Sequence, residues 1–149
     1  MKVVAGVTTE DWETVHTITD FWDCPRLGVA DFRGVPHVYA CEWSHEEDDW
    51  SHVFKLAPIN GEKLAKVMES WAIWRRWKEA SEADALGPGD DHPALAVDRA
   101  RYDALRRDVD MALRIDGLDT IAATAEFRGT WNPTHDLEVR WSPLGGDAE

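Results

Sequence analysis

The chain has 149 residues and a formal net charge of −13, from 29 Asp and Glu against 16 Lys and Arg. That acidity excludes sequence-independent binding to DNA, RNA or anionic lipid, because phosphate contacts need a clustered positive surface. The chain is long enough to bury a hydrophobic core without metals or disulfides. The sequence also holds nine tryptophans.

The first half of the sequence predicts four strands. Residues 12–22 are rich in Thr, Val, Ile and aromatic side chains, which favour a strand. Two apolar runs, 27–32 and 35–43, flank the pair Arg33-Gly34 and indicate a hairpin. After the acidic loop 44–49, Trp50 to Leu56 forms the fourth strand.

The apolar spacing then changes to that of helices. Asn60 is a plausible N-cap, and apolar residues recur at three- and four-residue steps up to Trp77, so we expect a helix that ends before Gly87. A second helix is predicted from about residue 94 or 98 to Ile115, with Gly117 as its C-terminal stop. Apolar and polar residues alternate again in 121–128 and 137–141, which predicts two more strands.

The predicted order is therefore β-β-β-β-α-α-β-β, within a single α+β domain of residues 1–149 whose tail is flexible from about residue 143. We expect one antiparallel sheet with a two-helix layer packed on one of its faces. Ala30–Gly34 resembles Ala125–Gly129 in sequence. This similarity has two explanations: an internal duplication, or two hairpins that use the same turn sequence independently. The sequence does not choose between them.

The sequence contains neither the apolar core of a signal peptide nor a run long enough to span a membrane. Cys24 and Cys41 have no zinc-type spacing, so we expect two reduced thiols in a cytoplasmic protein. Residues 45–49 together with His52 concentrate potential metal ligands, but they match no metal motif and are interpreted as a solvated loop. We predict no metal, no cofactor and no catalytic residue, and we lean against an enzyme.

Tryptophan and arginine are enriched at the centres of binding surfaces. On the first helix, Trp71 and Trp74 are expected to anchor the core, and Trp77 is expected near the margin of that core. The tryptophans outside that helix lie on predicted strands or at strand ends, and they favour a binding surface. The predicted binding residues are Trp22, Arg26, Asp31, Arg33, His37, Trp43, Trp50, Arg128 and Trp131.

Part of the sequence is similar to a set of uncharacterised bacterial proteins. The similarity rests on residues 25–37, Asp49-Trp50, 71–77 and 92–95, and it spans most of residues 20–100. The resemblance implies a bacterial origin and carries no activity or fold with it.

These observations lead to a ranked set of functions. The first is a non-enzymatic binding or accessory protein, of inhibitor or immunity type, that meets a basic protein partner through a Trp-lined sheet and acidic loops. The alternative is a small-molecule binder or enzyme with a pocket near Asp31, His37 and Trp43. A nucleic-acid mimic ranks third, because the acids gather in loops and are not spaced along one face. A homodimer is compatible with each.

Overall fold

Six strands and two helices account for most of the chain that the structure describes. The structure is a computed structural model, and it describes residues 12–22, 24–82, 94–115, 117–129 and 137–144. The element order within these residues confirms the predicted one. The elements are β1 (Glu13–Trp22), β2 (Cys24–Phe32), β3 (Val35–Ser44), β4 (Asp49–Pro58), α1 (Gly61–Glu82), a 3₁₀ turn (Ala96–Asp98), α2 (Arg99–Ala112), β5 (Ile121–Arg128) and β6 (Glu138–Pro143).

The described residues form two compact units. The described strands belong to one unit and the described helices belong to the other. That the helix pair packs on one face of the sheet stays a prediction. The predicted loop at 84–91 and the last five residues of the predicted flexible tail lie outside the described residues.

The strands form a closed barrel, whereas a single open sheet was expected. Each strand pairs antiparallel with the next, and β1 also pairs with β6. The closing ladder is short: Glu13 lies opposite Val139, and Thr14 lies opposite Glu138. Register shifts interrupt the pairing of β1 with β2, and such bulges bend a strand and increase its twist. Closure depends on these irregularities, which a pattern of alternating residues does not reveal.

Aromatic rings fill the interior of the barrel. Tyr39, Phe54, Phe127 and Trp141 lie with ring centroids 5.6–6.3 Å apart. Tyr39 belongs to β3 and Trp141 to β6, which are not neighbours in the barrel, so their contact crosses the interior. The Trp141 indole N–H donates to the carbonyl of Asp31 on β2 at 3.0 Å. Trp141 therefore packs in the core and satisfies its only donor there.

Gly28 lets the Tyr39 side chain reach across a strand. It lies opposite Tyr39 on one side and Ile18 on the other. The Tyr39 hydroxyl donates to the carbonyl of Thr17 on β1 at 2.9 Å, and the Thr17 hydroxyl accepts from the amide of Val29 at 3.0 Å. Burial, with a smaller contribution from Cys24, raises the pKa of Tyr39, so the hydroxyl stays protonated and remains a donor.

The predicted hairpin at Arg33-Gly34 is confirmed. Both residues have positive φ, 56° and 78°, as two-residue loops that follow the strand twist require. The Glu13 carboxylate accepts from the amide of Arg33 at 3.0 Å and from that of Gly34 at 2.8 Å. Pro36 follows at the second position of β3, where the pairing has only begun.

The helical unit is an antiparallel pair. The Asn60 side chain accepts from the Lys63 amide at 2.9 Å, which confirms the predicted N-cap. Helix α2 ends at Ala112, three residues before the predicted end; Gly117, with φ 79°, lies in a later turn and is not the stop. A buried cluster joins the helical unit's apolar side chains, namely Ile73, Ala94 and Leu105, with Tyr102 and Val109 against it.

The tryptophans of α1 agree with the expected distribution except at Trp74, which was expected to anchor the core and is half-buried. Trp71 is buried, with 8% of its surface exposed, while Trp74 and Trp77 are half-buried. The rings of Trp71 and Trp74 stack with centroids 5.0 Å apart and planes at 18°. The Trp74 ring therefore covers part of Trp71, while Trp74 and Trp77 stay partly exposed.

Among the described residues, ion pairs join α1 to α2 and to Asp98, the residue just before α2. Lys66 pairs with Asp108, Glu69 with Arg101, and Arg76 with Asp98. Arg76 and Arg101 each donate to their carboxylate through two nitrogens. Two of these three ion pairs are therefore bidentate. The bidentate geometry fixes the lateral register of the pair.

The two similar segments lie at equivalent places in the barrel. Ala30–Gly34 ends β2 and Ala125–Gly129 ends β5, and the glycines of both have positive φ. The loop that follows the second copy, residues 130–136, lies outside the described residues. Duplication stays one of the two explanations.

Gly28→Ala tests the crossing at Tyr39. A β-carbon at Gly28 would lie 2.7 Å from the Tyr39 hydroxyl and still closer to the backbone carbonyl of Thr17, so one of them must move. We expect a loss of about 2–3 kcal/mol in the free energy of unfolding, measured with urea. Gly61→Ala, where a β-carbon meets nothing within 4 Å, should change it by about 0.5 kcal/mol or less. Equal effects would contradict the crossing.

Arg101→Ala tests the ion pair of Glu69. The hydrogen bond from Arg101 and its charge lower the pKa of Glu69, so the pair stabilises the fold above the carboxyl's ordinary pKa and is lost as pH falls through the lowered value. The variant should raise that pKa toward its ordinary range in a carboxyl-carbon NMR titration. Arg114→Ala, on an exposed residue after α2, is the control, and an unchanged Glu69 titration in Arg101→Ala would refute the contact.

Candidate functional site

Two tryptophans meet at one end of the β3–β4 hairpin. Trp43 lies directly opposite Trp50. Their rings are edge to face, with centroids 5.5 Å apart and planes at 84°. A register shift between Cys41 and Trp43 re-aims the end of β3, as bulges do. Trp43 is 43% exposed and Trp50 is half-buried, so the pair presents an indole to solvent on a fixed support.

Arg26 braces this pair from the neighbouring strand. Its guanidinium lies 5.2 Å from the centre of the Trp50 ring, in the range of a cation–π contact. The same side chain donates to the Cys41 sulfur at 3.2 Å, and the Cys41 thiol donates to the carbonyl of Ser51 at 2.8 Å. Arg26 thus links β2, β3 and β4, and it holds Trp50 in place.

The turn beyond the two tryptophans carries four carboxylates. Residues 45–49 are exposed, and they include Glu46, Glu47, Asp48 and Asp49. The Ser44 hydroxyl accepts from the amide of Glu47 at 3.2 Å, and the Asp49 carboxylate accepts from the amide of Trp50 at 2.7 Å. Asp48 has φ 55°, a left-handed conformation that Asp tolerates better than most residues. We call Trp43, Trp50 and residues 44–49 the hairpin tip.

Asp31 and His37 lie on opposite faces of their hairpin. Asp31 is opposite Pro36 and His37 is opposite Ala30, and neighbouring positions on a strand point to opposite sides. His37 is buried, with 7% exposed, and its ring nitrogen bonds the carbonyl of Val35 at 2.8 Å. Trp43 is six residues further along β3, about 20 Å away. The structure therefore does not bring the three pocket residues together.

The partner of Asp31 is a residue that the sequence analysis did not select. His16 on β1 contacts the Asp31 carboxylate at 2.8 Å, and both side chains are about a quarter exposed. The predicted pocket placed Asp31 near His37 of β3, whereas its histidine contact comes from β1, on the other side of β2. His16 lies within the register shift between Val15 and Thr17, and such a shift hides which side chain of β1 faces Asp31.

The other predicted binding residues lie apart. Arg33 is exposed in its turn, 4.8 Å above the ring of Phe32. Arg128 lies 4.3 Å above the ring of Trp12 and bonds Glu138 at 2.8 Å. The Trp22 side chain and Trp131 lie outside the part of the chain that the structure describes. Of the nine predicted residues, the structure gathers three, namely Arg26, Trp43 and Trp50.

The Trp12 ring contacts two arginines, of which the sequence analysis selected Arg128 but not Arg140. Arg140 lies 4.8 Å from its ring and donates to Glu126 at 2.9 Å. With Arg128, it places two guanidinium groups on one indole beside the short β1–β6 ladder. This arrangement accounts for Arg128 as a structural contact.

Comparisons with protein-family models, curated proteins and solved structures find no match. Within the described ranges, no three His, Cys, Asp or Glu side chains are placed to hold a metal ion. Neither helix, over the residues described, has the length and apolar character needed to cross a membrane. The bacterial origin implied by the resemblance stays a prediction.

Tryptophan substitutions separate the exposed indole from the buried one. Trp43→Leu removes a ring that is 43% exposed, so we expect it to cost about 1 kcal/mol or less of unfolding free energy. Trp141→Leu removes a ring with 0% exposed and leaves the Asp31 carbonyl without its donor. It should cost about 3–5 kcal/mol. Urea unfolding measures both, and similar losses would contradict the placement of Trp43.

Proposed function

We propose that the protein is a non-enzymatic binding or accessory protein, of inhibitor or immunity type, which engages a basic protein partner through the hairpin tip. The observation that carries the proposal is the exposed Trp43 indole beside a turn with four exposed carboxylates. An exposed tryptophan on a rigid support is the usual anchor of a protein interface. Carboxylates around it complement a partner that carries Lys or Arg.

Long-range electrostatics support the same partner class. The net charge of −13 attracts a basic protein and repels nucleic acid. The tip concentrates part of that charge at one end of a hairpin. Association should therefore be fast at low ionic strength and weaken as salt screens the carboxylates. We expect the protein to act in the cytoplasm, with both thiols reduced.

The alternative functions have less support. A small-molecule binder or enzyme with the predicted pocket needs Asp31, His37 and Trp43 close together, and the register of the β2–β3 hairpin separates them. A nucleic-acid mimic needs carboxylates at regular intervals along a face, whereas the tip gathers four in one turn. Both alternative functions stay predictions, and no contact among the described residues supports them.

Neutralising the tip tests the proposal. The variant carries Glu46→Gln, Glu47→Gln, Asp48→Asn and Asp49→Asn. The probe is an acetylated, amidated octapeptide of alternating arginine and glycine, and calorimetry measures its affinity. We expect the affinity to fall by about tenfold or more, since each exposed ion pair contributes about 0.2–1 kcal/mol. Raising NaCl from about 0.05 M to about 0.3 M should weaken the wild-type complex.

A charge-matched variant provides the control. Glu62→Gln, Glu79→Gln, Asp110→Asn and Asp119→Asn neutralise four exposed acids elsewhere, so both variants change the net charge equally. The control should lose about threefold or less in affinity, because it changes only the distant field. Equal losses in the two variants would assign the binding to overall charge and overturn the tip as the interface.

A further inference from the structure

We infer that the exposed indole of Trp43 is a subsite for an arginine side chain of the partner. This inference rests on the proposed function and names the group that the hairpin tip recognises. The guanidinium would lie on the Trp43 ring, and its N–H groups would meet the carboxylates of the adjoining turn.

The barrel itself shows how its aromatic rings accept guanidinium groups. Arg26 lies over Trp50, Arg33 over Phe32, and Arg128 and Arg140 over Trp12, all at 4.3–5.2 Å from the ring centre. Two of these cations also bond a carboxylate on a neighbouring strand, Arg128 to Glu138 and Arg140 to Glu126. Ring and carboxylate thus act together on one guanidinium.

At the hairpin tip the Trp43 ring and the carboxylates of the turn are the same two components, and Arg26 lies over the other ring, that of Trp50. Trp43 contacts Trp50 edge to face, and among the described residues no arginine or lysine lies over the Trp43 ring. Its carboxylates follow directly in the turn, and Ser44 lies opposite Asp49. The Ser44 hydroxyl accepts from the Glu47 amide and the Asp49 carboxylate accepts from the Trp50 amide, so these bonds hold the backbone of the turn and one of its carboxylates.

Arginine fits this pair of groups better than lysine does. A guanidinium is planar, stacks on an aromatic face and directs five N–H donors to carboxylates at its edge. An ammonium group is a compact, strongly hydrated charge that does not stack. The electrostatic attraction of the turn acts on both cations, so the ring provides the discrimination.

The experiment compares two peptides on two variants of one position. The arginine–glycine octapeptide and its lysine–glycine counterpart are titrated calorimetrically into the wild-type protein, Trp43→Leu and Trp43→Phe. Leu keeps apolar volume without a ring, and Phe keeps a smaller ring. Thermal unfolding confirms that both variants fold.

We expect the wild-type protein to prefer the arginine peptide by about three- to tenfold, the range of one cation–π contact at a partly exposed ring. Trp43→Leu should remove that preference, and Trp43→Phe should retain part of it. If both peptides bind equally to all three proteins while the neutralised tip still loses affinity, the arginine subsite is wrong and the proposed function stands. If neither peptide binds the wild-type protein, both are wrong.

Discussion

The hydrogen bond from the Tyr39 hydroxyl to the Thr17 carbonyl is the contact on which the barrel depends. It joins β3 to β1 across β2, and only a glycine at position 28 leaves room for it. The first residues of β1, Glu13 and Thr14, pair with β6 and close the barrel. The same tyrosine ring packs on Phe54 and Trp141, so strand closure and core packing share one side chain. An unsatisfied hydroxyl at this depth would cost about 1–3 kcal/mol.

The aromatic side chains of β3 pass from core to surface along a single strand. Tyr39 is fully buried, Cys41 is nearly so, and Trp43 emerges after a register shift. Arg26 lies at the boundary, where it bonds the Cys41 sulfur and covers Trp50. A charged side chain at the end of a barrel core needs such partners. The exposed Trp43 indole therefore packs against a Trp50 ring that Arg26 holds in place, which reduces the entropy lost when a partner binds.

Local patterns predicted the elements well. Alternation located the strands, Arg33-Gly34 located the turn, and Asn60 located the start of α1, because each depends on residues close in sequence. Closure of the barrel could not be predicted, since it depends on bulges in β1 and on a two-residue ladder between distant strands. For the same reason His16 was missed as the partner of Asp31. At the site, Trp43, Trp50 and Arg26 were three of the predicted binding residues and lie together, while Asp31 and His37 are separated by strand register.

The central claim is that the hairpin tip is the binding surface of this protein. A ¹⁵N–¹H NMR titration of the whole chain with the arginine–glycine octapeptide tests it most directly, because each amide and indole reports its own surroundings. The account predicts that the largest shifts fall on the Trp43 indole and on the amides of residues 44–50, with the interior Trp141 indole unmoved. Shifts spread over all acidic surfaces, or concentrated on the helices while residues 43–50 stay constant, would contradict it.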